Sequence, residues 1–121
     1  HPHDRYRRQR SDVYKRQVNK EPLIKEIQQT TLNQILHENS IKTIHYLNID
    51  VEGYEMNVLR GFNIRKYNPN LVSIEIHDED CPPLKNNIYK YFIKNNYRLV
   101  SIYGWTYFFE KKRNSKIHFT I

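Results

Sequence analysis

The chain has 121 residues, 38% of them hydrophobic, with ten Tyr and five Phe, enough for one domain around a modest core. Its net charge of +7 invites a nucleic-acid reading, yet more than half of that excess lies in Arg5, Arg7, Arg8, Arg10, Lys15 and Arg16, opposed by Asp4 and Asp12, in a tail with almost no apolar residues. No run approaches the roughly eighteen apolar residues of a membrane span and no signal-peptide pattern is present; the single cysteine, Cys81, excludes an intramolecular disulfide and fits a reducing compartment, with the cytoplasm as the expected location.

His1 to Gln17 contains one aliphatic residue, Val13. Such a segment cannot offset its ordering entropy, so residues 1–17 are expected to be disordered. Ser11-Asp12-Val13-Tyr14-Lys15-Arg16-Gln17 resembles the translation of a transposon-type sequencing adaptor. The natural sequence is then expected to start near Val18 and to continue upstream. A basic tail that binds phosphate or membrane is the plainer reading of the same residues.

Val18 to Gln29 is mixed, with Pro22 near its start. Residues 30–39 read as a helix: Thr30 or Thr31 can cap it, and Leu32, Ile35 and Leu36 share one face. Ile44 to Asp50 reads as a strand covered on both faces. Tyr54 to Arg60 reads as a short helix, with Gly61 placed as its C′ residue. Asn68-Pro69-Asn70 is a turn, and Leu71 to Ile76 the next strand. Cys81-Pro82-Pro83 breaks regular structure. Ile88, Tyr91 and Phe92 give helical spacing through residues 86–96. Tyr97 to Tyr103 is a strand, Gly104 a turn, Thr106 to Glu110 another strand, and Ile117 to Ile121 a possible last one. Alternating strands and helices predict a parallel α/β sheet with right-handed crossovers. Two consecutive strands at the end predict an antiparallel hairpin.

The strand–turn–helix stretch Leu47-Asn48-Ile49-Asp50-Val51-Glu52-Gly53, trailed by Leu59-Arg60-Gly61, is the most telling part. Open α/β sheets place their chemistry at the carboxyl ends of strands. Together with Thr31-Leu32-Asn33 and Ile74-Glu75-Ile76-His77, it resembles the signature of the FkbM-type family of S-adenosylmethionine-dependent methyltransferases, over roughly residues 30–110. The pattern departs at Asn33, where the family has an aspartate, and at Asn48, where it has a lysine. The resemblance implies the C-terminal half of a Rossmann-like methyltransferase sheet. It also implies S-adenosylmethionine as cofactor and transfer to a hydroxyl of a sugar or other small natural product. Residues 18–121 would then be a partial domain lacking the N-terminal cofactor-binding strands.

In that reading Asp50 is a candidate catalytic carboxylate, able to accept the acceptor's hydroxyl proton and hold it in line. Glu52, two residues on, would point the same way if the strand continued. Gly53 would allow close approach of substrate. Glu75 and His77 end the adjacent strand, and His77 titrates in the range that suits base work. Acids at strand ends also favour the start of a following helix, so Glu52 and Glu55 have a structural reading as well. His77 to Cys81 is consecutive and fans outward, which argues for a solvated acidic loop over a metal site. Asp50 and Glu52 could hold Mg²⁺ with Asp78, but nothing in the sequence points to it. Tyr103, Trp105 and Tyr107 resemble a stacking surface, although aromatics of a terminal hairpin are usually core.

A Rossmann-type pocket needs a Gly-rich turn. Gly53, Gly61 and Gly104 are the only glycines, so no G-x-G occurs, and cofactor-binding residues stay unassigned. This chain alone is therefore expected to bind S-adenosylmethionine weakly or not at all. The rival classes are a small nucleic-acid-binding module, using the tail and Lys111-Lys112-Arg113…Lys116, and a non-catalytic remnant. No membrane partner is expected, and oligomeric state is not readable.

Overall fold

The computed structural model describes residues 22–77 and 83–113. The expected disorder of residues 1–17, the loop 78–82 and a strand at Ile117 to Ile121 fall outside them. In chain order the elements are α1 (Leu32–Glu38), β1 (Tyr46–Ile49), α2 (Glu55–Arg60), α3 (Ile64–Tyr67), β2 (Leu71–Glu75), a 3₁₀ turn (Pro83–Lys85), α4 (Asn87–Lys94), β3 (Tyr97–Tyr103) and β4 (Thr106–Lys111).

Caps set the helix limits. The Thr31 hydroxyl accepts from the Gln34 N–H at the start of α1, and the Asn86 side chain accepts from Ile88 and Tyr89 N–H at the start of α4. Each satisfies amides that the first turn leaves without partners. The four-residue α3 is too short to leave a periodic trace in the sequence. It is defined by Asn63, which accepts from Lys66 N–H, and by Asn68, whose left-handed φ of 55° stops the turn.

The strands form one mixed sheet in the order β1-β2-β4-β3. β1 and β2 are parallel, while β2–β4 and β4–β3 are antiparallel. The α/β class, the parallel pair and the closing hairpin are therefore as expected. Alternation sends Ile49, Val72, Ile74 and Phe109 to one face, where they join Leu59, Phe62, Ile64, Tyr67, Ile88, Phe92 and Tyr97 in the core. Phe92 of α4 stacks on Phe109 with ring centroids 4.2 Å apart and 13° between planes. Tyr97 meets the Phe92 ring edge-on, and its hydroxyl donates to the Pro69 carbonyl. Burial raises the Tyr97 phenol and pushes Tyr91 up to about 12, because a phenolate loses its hydration there.

The other face of β1 corrects the expectation of a strand covered on both sides. Tyr46 and Asn48 are exposed, and among the described residues β1 pairs only with β2. That face carries a polar relay instead. Buried Ser73 donates to Asn48 Oδ1 at 2.6 Å, and the Tyr46 hydroxyl lies 2.6 Å from Ser73 Oγ. A serine has one proton to give, so Tyr46 is the donor to Ser73. Asn48 thus has a structural partner where a lysine would bring a cation.

Three further expectations change. Ile35 is exposed, although Leu36 of α1 is buried and Leu32 packs against the core. Gly61 is not left-handed: its φ is −90°. The space beside it is tight instead, since an added Cβ would stand 3.1 Å from Thr31 Cβ. Asn33 reinforces this junction, donating its N–H to the Gly61 carbonyl and accepting from Asn63 N–H at 2.7 Å. It ties α1 to the loop between α2 and α3. Finally, Tyr103 and Trp105 are 83% and 46% exposed, so these hairpin aromatics are not core. Among the described residues no helix is long and apolar enough to cross a membrane.

Candidate functional site

Parallel pairing brings two acids together. Ile49 of β1 is in register with Ile74 of β2, so the next residues, Asp50 and Glu75, emerge side by side at the carboxyl ends of the two strands. Glu75 raises the Asp50 carboxyl above its ordinary value, first by its negative charge. Partial desolvation, the hydrogen bond that a protonated Asp50 donates to the Glu75 carboxylate and the charges of Glu52 and Glu55 act in the same direction. Glu75 also meets His77 Nε2 at 2.8 Å. That hydrogen bond is the main cause of His77's upward shift; the charges of Glu75, Glu55 and Glu52 add to it, and partial desolvation opposes it. Asp50, Glu75 and His77 therefore stand together at the carboxyl ends of two parallel strands, with the Asp50 and His77 shifts both upward.

The turn after β1 is held from below. Glu52 and Gly53 have φ of 52° and 98°, and the second of these is a conformation that glycine adopts at no steric cost. Among the described residues nothing lies within 4 Å of where a Gly53 Cβ would stand, so they leave the approach over this turn open. The sequence reading of Glu52 needs correction. β1 ends at Ile49 and the left-handed backbone at Glu52 breaks strand alternation, so no shared face with Asp50 follows from spacing. Glu52 acts on the group through its charge.

The helix-start role falls to Glu55. Only 5% exposed, its Oε1 accepts from Gly53 N–H at 3.1 Å and from Val51 N–H at 3.4 Å. A charged acceptor serving two amides fixes the turn that presents Asp50. Glu55→Gln keeps the shape and weakens the acceptor. It is expected to lower folding stability by about 1–3 kcal/mol, read as a shift of the urea midpoint. An unchanged midpoint would show that the turn does not depend on the carboxylate.

Trp105, weighed in the sequence mainly as core, comes to rest beside His77. Its carbonyl accepts from Ile76 N–H at 2.9 Å, which pins the β3–β4 turn against the end of β2. Its ring centroid is 5.4 Å from that of His77, tilted by 39°. One signal was available in the sequence, the placement of Trp105 beside the turn residue Gly104, and it does not say which strand the turn will touch. Of the segment His77 to Cys81 only His77 lies among the described residues, and among these no cluster of three or more potential ligands is arranged to hold a metal ion. The cations Lys111, Lys112 and Arg113 are carried at the opposite end of β4 from Thr106, which pairs with Glu75.

Residues 3–99 match the methyltransferase FkbM domain. The chain belongs to the FkbM methyltransferase family. The matched span begins inside the basic tail and ends within β3, and it contains Asp50, Glu52, Gly53, Glu75 and His77, whereas Trp105 lies beyond it. No curated protein and no solved structure shows a significant match. Within the FkbM domain Asp50, Glu52 and Gly53 follow β1, and Glu75 and His77 lie at the end of the adjacent β2.

Proposed function

We propose that this chain is the acceptor-side part of an S-adenosylmethionine-dependent O-methyltransferase with a Rossmann-like sheet, acting in the cytoplasm on a hydroxyl of a sugar or other small natural product. The observation that carries this reading is the juxtaposition of Asp50, Glu75 and His77 at the ends of two parallel strands inside an FkbM domain. A hydroxyl becomes a competent nucleophile when its proton is accepted as the new bond forms. Asp50 is the group that takes that hydrogen bond. Glu75 stands beside Asp50 and makes it a better proton acceptor, and the 2.8 Å contact with His77 Nε2 holds Glu75 in one orientation. Gly53 leaves the approach clear. The methyl donor supplies an electrophilic carbon when bound, but the residues present do not fit it: no glycine-rich turn occurs in this sequence.

The test is methyl transfer from isotopically labelled S-adenosylmethionine to a panel of hydroxylated acceptors, using the longer protein that the partial-domain reading expects. Label on an acceptor oxygen is expected. Label confined to nitrogen or carbon would overturn the reading. For the 121-residue chain by itself, calorimetry is expected to show weak or no S-adenosylmethionine binding, and micromolar affinity would contradict the assignment of the donor pocket to residues outside it.

A further inference from the structure

We infer that Trp105 is the wall on which the methyl acceptor's ring lies, and that it selects a neutral ring over an anionic one. This rests on the transferase reading and names a specificity residue for it. Trp105 is 46% exposed and has no place in the hydrophobic core. The free energy available from covering an indole is therefore unspent in the described fold. Its position is set by main chain. The Ile76 N–H bond and the pairing of Thr106 with Glu75 hold the turn over the end of β2. One contact is already made, with the His77 ring, and His77 in turn bonds Glu75. The indole and the coupled acids are thus neighbours, connected through a single imidazole.

The chemistry of that pairing defines its ligand. An indole face attracts the C–H face of a saturated ring or the face of an aromatic one. Asp50 and Glu75 accept hydrogen bonds from hydroxyls, and their charges together with that of Glu52 repel carboxylates and phosphates. A neutral ring bearing hydroxyls satisfies both demands, with one face on Trp105 and an edge toward Asp50. An anionic ring of the same shape does not.

Trp105 is the only tryptophan in the chain, so its emission reports the wall directly. The 121-residue chain is titrated with neutral methyl pyranosides and with the matching uronic acids. The neutral compounds are expected to shift the emission, and the acids to need about tenfold higher concentration. Ligand-observed NMR then compares variants whose folding is checked by urea midpoint. Trp105→Ala is expected to bind about tenfold more weakly, and Trp105→Phe to recover most of the loss. Absence of any emission shift, equal response to the acids, or unchanged binding by Trp105→Ala would overturn the proposal. Normal methylation of a neutral ring by Trp105→Ala in the longer protein would also remove the wall, while leaving the transferase reading in place. Pyranoside binding at Trp105 with no methyl transfer would do the reverse.

Discussion

Asp50→Asn is expected to lower methyl transfer by about 100- to 10,000-fold, the usual contribution of a positioned proton acceptor. The fold should not suffer with it. Asp50 is an acid whose carboxyl is raised in the folded state by Glu75, so folding favours its protonated form. Its contribution to stability is therefore present at low pH and is lost as pH rises from the unfolded carboxylate range through the higher folded value. At neutral pH the ionised Asp50 stands against Glu75 and Glu52, and an amide removes that repulsion. The urea midpoint of Asp50→Asn at pH 7 should equal or exceed that of the parent, and the advantage should vanish in acid. His77 has the same sign, in a higher pH window. Its raised folded value makes it stabilising below the ordinary histidine range, and this is lost as pH rises through the folded value. Near-normal turnover by Asp50→Asn would take Asp50 out of the mechanism, whatever its effect on stability.

Phe92→Ala carries the largest expected cost to the fold. Phe92 is fully buried, stacked on Phe109 and edge-on to Tyr97 and Tyr91, and it joins α4 to the sheet. Truncating a core phenylalanine costs about 3–5 kcal/mol through lost transfer energy and the cavity left behind. A domain of this size has about 5–15 kcal/mol in all. The variant should be largely unfolded at modest urea, as followed by far-UV circular dichroism. Ile102→Ala, at a half-exposed position on β3, should stay within about 0.5 kcal/mol of the parent. Similar midpoints for the two variants would contradict the packing described.

Most of the architecture was legible because its signals are local. Thr31, Asn39 and Asn95 mark helix ends by their own side chains and backbone, and short apolar runs mark β1 and β2. The α/β class, the parallel pair and the hairpin followed from element order. What escaped depends on contacts distant in sequence. The exposure of β1's outer face reflects which neighbours it has, and periodicity does not encode neighbours. Gly61 is small because Thr31 stands close to it, a constraint set thirty residues away. In the site, Asp50, Glu75 and His77 could be read from strand-end position, since parallel register turns matching ends into adjacency. The misplacement of Glu52 came from extending strand alternation past Ile49 into a left-handed turn. Trp105 was legible as an aromatic and illegible as a neighbour of His77, because antiparallel pairing with β2 decides where that turn comes to rest.

The anchoring of Trp105 by its carbonyl has an evolutionary consequence. A loop fastened through the main chain keeps its place whatever side chain it carries, so residue 105 can change without moving Glu75 or His77. On the proposed reading, recognition and catalysis are then separable under mutation, and new acceptors become reachable one codon at a time while Asp50, Glu75 and His77 stay in place.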